Sequence, residues 1–586
     1  MDNEQVAYDY DDFIQKTGDY DFEDDEPLAT DLIETETIDE ELLLKQQQLF
    51  QHQLQLQQQQ AAAQLPDAIR NFILYFQHCL KENNVYDLHG CYENTFNRLT
   101  EKFYKNTPWP DPHEVIAPLV ENDQPFVTLY TEMYYRHLYA KLQPDLVDRF
   151  ASYDNYCVWF NYVFDPNSPT DLELPTNWAW DIIDEFIYQF NSFALYRSRT
   201  VRKSHNEEEI QQLRDHPQAW SSYGVLNVLY SFIQKSRINE QLEAVRDGRD
   251  PDEVAGSDGS RSLYKTLGYF SIIGLLRVHT LLGDFTLALK TMESIDLNKK
   301  TKYSRVAGAQ FTIYYYVGFC YMMLRRYSDA IKAFSHILLF ISRSKSFHNR
   351  SAQYDSVTKR SDQMYALLAI CVALCPTRLD DSIHTTLREK NGEQLARMQR
   401  GGEESLPVFE ELFTFASPKF MMLGPPDYEN PANNIDPLQH HLKVFMMDVK
   451  NTMLAPTLRS YLKLYTTLNI EKLATFVEIS PEELRSALVV FKQKSRQVRW
   501  TEGSLLDGEV VNVSDLDITL NGDLIDISEA RIVRKFGDWF LRNAAKYYAV
   551  QDTIANKNPT VEDGKENKEH GKRRERREKG GEKSSK

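Results

Sequence analysis

Three carboxylates and a pair of histidines are the side chains of this sequence with the clearest potential for catalysis or metal binding. Asp181, Asp184 and Glu185 could do acid–base work, but on an amphipathic helix we expect them to form the solvated face. His440 and His441 could ligate a metal, yet no further ligands follow at metal-binding spacing. Neither group therefore predicts a catalytic or metal site.

The six cysteines and the glycines also lack a chemical pattern. The nearest pairs, Cys371/Cys375 and Cys79/Cys91, have no partner clusters at zinc spacing, so we expect buried thiols in a reducing compartment. The patterns GxxxxGK[ST], GxGxxG, HExxH and GxSxG do not occur in the sequence. The sequence predicts a protein that is not an enzyme and needs no cofactor or metal.

One group of basic residues could bind nucleic acid. Arg485, Lys492 and Arg496 share one side of a helix predicted from Pro481 to about Val498, and Arg499 extends this stripe. Such a stripe can contact phosphates. A solvated or protein-binding face is the alternative, which the net charge of −19 favours.

The elements that must position this stripe resemble a winged helix. A short helix with Ile470 and Val477 on one side is followed by Ser480-Pro481-Glu482-Glu483, which combines an N-cap, a first-turn proline and a capping-box glutamate. Beyond the capped helix, DLDITL and DLIDI flank Asn521-Gly522, a strong hairpin signal.

The hairpin and the helix after it supply the candidate partner-binding residues. A turn at Asn521-Gly522 would pair Leu520 with Asp523 and place apolar residues opposite each other in the next pairs. A wing strand of this kind can add to a sheet of another subunit through backbone hydrogen bonds. The apolar candidates on these two elements are Leu516, Ile518, Ile525, Ile527, Phe536 and Phe540. The family resemblance given below implies that they form a partner-binding surface.

Upstream, two segments share the shape of a helical hairpin. Each has an apolar helix with a central glycine, Gly274 or Gly318, and a second helix with an alanine, Ala288 or Ala330, about a dozen residues later. The second segment fits tetratricopeptide spacing. We predict a mainly α fold, a right-handed helical-repeat (TPR/HEAT-like) solenoid that ends in a winged-helix PCI module with a small β-hairpin.

Composition divides the chain into five parts. Residues 1–65 are acidic and then glutamine-rich, and residues 551–586 are charged, so both are predicted to be disordered. Between them we predict an N-terminal helical domain (66–245), the PCI helical repeats (262–456) and a winged helix with a C-terminal helix (457–550). Residues 246–261 are predicted to form a polar loop. The acidic start is unlike a signal peptide and no apolar run is long enough to span a bilayer, so we expect a cytosolic protein.

Long segments of the chain resemble one family. They include KNTPWP, YYRHLYAKL, WDIIDEFIYQF, SLYKTLGYFSIIGLLRVHTLLGD, YYYVGFCYMMLRRYSDAI and LRSYLKLYTTL. The sequence is similar to the subunit L family of the eukaryotic translation initiation factor 3 complex, a PCI-domain family. The resemblance covers roughly residues 66–550 and the acidic motif YDYDDFIQKTGD. The glutamine-rich insertion around 46–64 and the charged tail depart from it.

The resemblance implies a non-catalytic structural subunit. It implies subunits K and E as neighbours, joined through winged-helix edges and bundled C-terminal helices. It also implies contact with the small ribosomal subunit through the complex, and mRNA contact that is at most indirect. Three alternatives stay open: a PCI scaffold of the proteasome-lid or signalosome type, a winged-helix RNA-binding protein, and an enzyme.

Overall fold

The computed structural model describes residues 65–165, 171–203, 207–297, 305–348, 354–529 and 531–556. The predictions for residues 1–64 and for the tail beyond residue 556 lie outside these ranges. Helices form most of residues 65–454, which we call the helical region. In chain order its helices are α1 Asp67–Lys81, α2 Val85–Gly90, a π-helical turn Cys91–Phe96, α3 Asn97–Phe103, a second π-helical turn Pro112–Ile116, α4 Ala117–Leu119, α5 Gln124–Lys141, α6 Leu146–Phe164, α7 Thr176–Lys203, α8 Glu207–Asp215, α9 Ser222–Ser236, α10 Ile238–Arg246, α11 Pro251–Gly259, α12 Ser262–Leu282, α13 Phe285–Thr291, α14 Ala307–Met323, α15 Tyr327–His348, α16 Tyr354–Leu374, α17 Asp381–Arg400, the 3-10 turn Glu403–Ser405, α18 Leu406–Ala416, the 3-10 turn Pro431–Asn433 and α19 Pro437–Lys450.

One continuous apolar core joins these helices. Buried side chains form a single cluster from Ile69 to Val449, across the predicted boundary at residues 246–261. Helix α9 packs on α12, α14 on α15, and α16 on both α17 and α18. The aromatic stripe that the sequence places on α7 is buried in this core, as its helical spacing requires: Trp178, Ile182, Phe186, Phe190 and Phe193.

Small residues bring the predicted hairpins close together. A Cβ atom on Gly318 would lie 2.6 Å from Cε1 of Phe334, on the partner helix α15. A Cβ atom on Gly274 would lie 2.9 Å from Cδ1 of Ile187, on α7. A side chain at either position would push the facing helix away.

The polar loop predicted at residues 246–261 is wrong. Residues Pro251–Gly259 form helix α11, which Asp250 caps by accepting a hydrogen bond from the Asp252 amide at 3.0 Å. Gly256 interrupts it with φ +69. Proline at the first helical position and the Asp N-cap outweigh the weak helix propensity of the glycines.

Residues 455–529, which we call the C-terminal unit, have a second, smaller core. Leu473, Leu484, Leu488 and Ile525 are fully buried there. Strand order is β1-β5-β4 in one antiparallel sheet and β2-β3 in a separate ribbon. The elements are α20 Ala455–Leu462, β1 Thr467–Asn469, α21 Ile470–Val477, α22 Pro481–Ser495, β2 Arg496–Arg499, β3 Glu509–Asn512, β4 Leu516–Asn521, β5 Leu524–Glu529 and, after the unit, the terminal helix α23 Arg531–Asn556.

The predicted hairpin register is wrong by two residues. Asn521 pairs with Leu524, so the turn is Gly522-Asp523. Only Gly522 of these two has a positive φ, +61, which suits a turn with glycine at its first central position. A two-residue shift leaves every side chain on the same face, so the apolar pattern alone cannot distinguish the two registers.

The capped helix is shorter than predicted. Its capping box is present, with Ser480 and Glu483 each accepting from the other's amide at 3.3 Å. The helix ends at Ser495 instead of Val498, because Arg496–Arg499 pairs with β3 as an extended strand. Pairing with a strand outweighs helix propensity here.

One buried arginine fastens the C-terminal unit to the helical region. Arg326 Nη1 donates to the carbonyls of Leu505 and Leu506 at 3.0 and 2.9 Å, and its Nη2 donates to the Asp507 carbonyl at 3.0 Å. The carboxylate of Asp329 accepts from Arg326 Nη2 at 2.9 Å. Leu505 is itself part of the larger core. The loop between β2 and β3 thus anchors the unit.

Candidate functional site: the C-terminal unit and the terminal helix

The structure separates the predicted partner-binding residues into buried and exposed groups. Leu516, Ile518 and Ile525 are at most 2% exposed inside the small core, and Ile527 packs against them. Their side chains hold the C-terminal unit together and are not available to a partner. Phe540 on the terminal helix is 63% exposed. The side chain of Phe536 lies outside the described residues.

Side chains engage part of the outer edge of the wing. Strand β4 is an edge strand in the described sheet, so its outward backbone groups are the ones a partner strand would use. The Ile518 carbonyl accepts from Lys492 Nζ at 2.6 Å, and the Ile518 amide donates to the Asp517 carboxylate at 3.0 Å. The Leu516 amide donates to the Ser514 hydroxyl at 3.2 Å. This blunts the edge, and β4 is a poor place for strand addition.

The predicted basic stripe is divided between two elements. Arg485 and Lys492 lie on α22, where Arg485 pairs with Asp523 and Lys492 binds the wing. Arg496 and Arg499 are exposed on β2, beyond the end of the helix. The single helical face that would follow a phosphate backbone is therefore not formed. RNA contact through these four residues stays a prediction.

The terminal helix carries an exposed apolar face. At 100° per residue, Phe540, Tyr547, Val550 and Ile554 fall on one face, and between 55% and 75% of each is exposed. Trp539, Leu541 and Tyr548 widen this face and are similarly exposed. A soluble chain seldom leaves so wide an apolar face uncovered unless it binds another protein. Helical spacing is the signal in the sequence, and from it only Phe536 and Phe540 are predicted to bind a partner.

The expectation of a solvated face on α7 is wrong for Asp181 and Glu185, which lie in a polar network between helices, whereas the Asp184 side chain is 40% exposed. Asp181 accepts from the Tyr92 hydroxyl at 2.5 Å, and Arg136 lies 3.7 Å from the same carboxylate. Glu185 accepts from Gln189 at 3.0 Å. Burial raises the pKa of Asp181 to about 6 and that of Glu185 to about 8. The third carboxylate, of Asp184, pairs with Arg277.

This network links α5 and α7 to the turn that carries Tyr92. Arg136 also binds the Glu132 carboxylate at 2.5 Å, so the guanidinium compensates several carboxylates at once. Each side chain has at least one neighbouring partner, although Oε2 of Glu132 and Oε1 of Gln189 accept no hydrogen bond within the described residues.

Other chemical candidates behave as ordinary parts of the fold. Within the described residues no group of three or more His, Cys, Asp or Glu could hold a metal ion. His441 packs against Phe420, with ring centres 4.2 Å apart, and burial lowers its pKa to about 4. Among the described helices, none is long and apolar enough to cross a membrane.

These features define a class: a mainly helical protein whose small C-terminal α/β unit projects a helix with an uncovered apolar face. The family model described as RNA polymerase I-associated factor PAF67 matches residues 148–547.

Curated relatives identify the family. Eukaryotic translation initiation factor 3 subunit L of Yarrowia lipolytica is 55% identical over 518 residues, which cover 88% of this chain and 94% of the relative. The proteins of the same name from Mycosarcoma maydis and Neurospora crassa are 53% and 59% identical, over 84% and 73% of this chain and 75% and 92% of theirs. The chain belongs to the eukaryotic translation initiation factor 3 subunit L family, and the resemblance found in the sequence is confirmed.

Proposed function

We propose that this chain is a non-catalytic structural subunit of the translation initiation factor 3 complex and that it joins the complex through its terminal helix. The helical region supplies a rigid body, and the C-terminal unit sets the direction of the helix. Assembly of the preinitiation complex on the small ribosomal subunit, and mRNA recruitment, would follow from membership of the complex. The cytoplasm would be its place of action.

The uncovered apolar face of α23 carries the assembly proposal. Phe540, Tyr547, Val550 and Ile554 repeat at helical spacing and are all exposed. Burying side chains of this size against another helix stabilises a complex by about 1.5–3 kcal/mol each before association costs. Aromatic residues are also enriched at the energetic centres of interfaces.

The finer architecture belongs to the same proposal. The order α20, β1, α21, α22, β4, β5 matches that of a winged helix, which supports a PCI module over residues 457–550. Paired helices packed in chain order support right-handed TPR/HEAT-like repeats over residues 262–456. Subunits K and E are the neighbours we propose, with helices of their own covering α23.

Substitutions on the exposed face test the assembly role without disturbing a core. We expect Phe540→Glu combined with Tyr547→Glu to abolish co-purification of other initiation factor 3 subunits with the tagged chain, because charged groups would then face the partner's apolar surface. Quantitative mass spectrometry of the purified complex, normalised to the tagged chain, measures this loss.

Ala549→Glu is the matched control. It adds a carboxylate to the same exposed helix, on the side opposite Phe540, and should leave the recovered subunits unchanged. Circular dichroism should be the same for all variants. Full recovery of the other subunits with the Phe540/Tyr547 double variant would disprove the proposed role of α23.

A further inference from the structure

A cleft of about 670 Å³ lies between the end of the helical region and the C-terminal unit. Its walls come from the ends of α16, α17 and α19 and from α20 and α22. The apolar part of the lining includes Met398, Phe409, Leu454, Val490 and Phe491. A cleft of this size accepts several side chains of a peptide, or one small molecule.

The charges around this cleft have one sign. Lys450, Arg459, Lys463 and Lys494 line it, and no Asp or Glu is among the lining residues. This stands out in a chain with 86 acidic and 67 basic residues. Two carboxylates behind the wall offset part of the charge. Asp515 lies 2.8 and 3.0 Å from Arg459 and Lys463, and Asp448 lies 2.8 Å from Lys494.

The remaining positive charge lies beside an apolar floor. Lys450 is exposed at the end of α19, and no salt bridge within the described residues engages it. A ligand that matches both properties carries several negative charges and aromatic or aliphatic groups close together. Phosphate or a nucleotide would match the charge but would leave the apolar lining uncovered.

This chain contains such a ligand. Residues 8–26 hold nine carboxylates and one lysine, interleaved with five aromatic side chains: Tyr8, Tyr10, Phe13, Tyr20 and Phe22. We propose that this acidic amino-terminal segment docks in the cleft of the same molecule. Its aromatic side chains contact the apolar lining, and its carboxylates face Lys450 and Lys463.

The tether between the segment and the described fold is long enough. Residues 27–64 can extend to about 130 Å at 3.3–3.6 Å per residue. A compact domain of about 490 residues has a radius of gyration of about 23 Å. Because the segment and the cleft belong to one chain, the local concentration of the segment at the cleft is about a millimolar, so weak contacts suffice.

Occupancy of the cleft is tested in the full chain by hydrogen exchange. We expect Asn451–Ser460 and Ser486–Ser495 to exchange faster when the nine carboxylates of residues 8–26 are changed to Asn and Gln. Salt of about 1 M should give the same result, because the Debye length then falls to about 3 Å. Identical exchange in both chains would overturn the proposal.

Charge changes in the cleft test the docking site. Lys450→Glu with Ser460→Glu changes the cleft by three charges without touching a described salt bridge. We expect this double variant to weaken docking about fivefold. The cleft segments should then exchange faster, as in the chain without the nine carboxylates, and a dye attached to the amino terminus should become more mobile. The control is Lys443→Glu with Gln439→Glu, which makes the same change on the exposed side of α19, outside the lining. Equal effects of the two pairs would contradict docking in the cleft.

Cross-linking separates docking within one chain from docking between chains. A carbodiimide should join carboxylates of residues 8–26 to Lys450 and Lys463. In an equal mixture of ¹⁴N and ¹⁵N chains, these links should connect peptides of the same isotope. Links between isotopes, or links only to lysines away from the cleft, would refute docking within one chain.

Discussion

The helical region and the C-terminal unit bury apolar surface in different ways. In the helical region one core extends from Ile69 to Val449, and its glycines allow helices to touch. The C-terminal unit has a much smaller core and is followed by a helix whose apolar face is uncovered. The helical region encloses its own core, whereas the C-terminal unit is attached through Arg326 inside the molecule and, as we propose, through α23 outside it.

Cutting into the larger core should produce the largest effect. Phe186 is 2% exposed, and its ring centre lies 4.8 Å from that of Phe160 and 5.5 Å from that of Trp220. Phe186→Ala leaves a cavity and should destabilise the helical region by about 3–5 kcal/mol. Hydrogen exchange should accelerate across α6, α7 and α9.

Leu473→Ala makes the corresponding cut in the smaller core. Leu473 is fully buried there, and its loss should cost about 2–5 kcal/mol. Faster exchange should then be confined to α20–α22 and β4–β5. If α12 loses protection equally in this variant, the two cores unfold as one and the comparison fails.

The junction between the regions should give the next largest effect. Arg326 is 6% exposed and binds Asp329, which is itself 3% exposed. Arg326→Ala leaves this carboxylate without its main partner and removes the described donor to the Leu506 and Asp507 carbonyls, while the Leu505 carbonyl still accepts from the Tyr321 hydroxyl. The loss should cost about 3 kcal/mol. Hydrogen exchange should accelerate in residues 500–508 while α5–α7 remain protected.

Arg325→Ala is the control for the junction. The Arg325 side chain is 67% exposed, and its Nε lies 3.1 Å from the Asp448 carboxylate. Removal of this side chain should therefore cost at most about 1 kcal/mol. Equal effects of the two substitutions would mean that the buried arginine does not anchor the loop.

Local signals in the sequence specified much of both regions. Residues close together in the sequence determine the apolar stripe of α7, from Trp178 to Phe193, and the capping box at Ser480–Glu483. Both features are present in the structure. The family was also recognisable from continuous segments.

Features that depend on distant residues could not be predicted in this way. The end of α22 at Ser495 depends on pairing with Glu509–Asn512, and the Arg326 contacts reach residues about 180 positions away. Two hairpin registers keep the same apolar face, so only the turn conformation at Gly522 decides between them. Burial of Leu516 and Ile518 depends on packing against α21 and α22, which the alternation of residues does not reveal.

The smallest expected effect is a dependence of stability on pH, which should differ between the two regions. Burial raises the pKa of Glu185 from 4.5 to about 8, so the folded helical region binds this proton more tightly than the unfolded chain does. Its contribution to stability is largest below pH 4.5 and falls as the pH rises to 8. In the C-terminal unit, partial burial raises the pKa of Asp515, but its bonds to Arg459 and Lys463 outweigh this and lower it to about 2. That contribution is complete above pH 3.8 and is lost only below it.

Glu185→Gln should therefore stabilise the helical region at pH 8 and have little effect at pH 4.5. The full shift would be worth about 5 kcal/mol at about 1.4 kcal/mol per unit of pKa, but the Glu185 side chain is partly exposed, and we expect solvent screening to reduce the gain to about 1 kcal/mol. Glutamine keeps an oxygen that can accept from Gln189 and carries no charge to bury. Hydrogen exchange of α7, compared between pH 5 and pH 8 after correction for the intrinsic exchange rate, measures the gain. Glu240→Gln, at an exposed carboxylate on α10, should produce no pH-dependent gain. Protection of α21 and α22 should not change between these pH values in either variant, because Asp515 is ionised in both the folded and the unfolded chain. A gain at pH 8 that appears equally in α22 would show that the two regions share one ionisation-linked equilibrium.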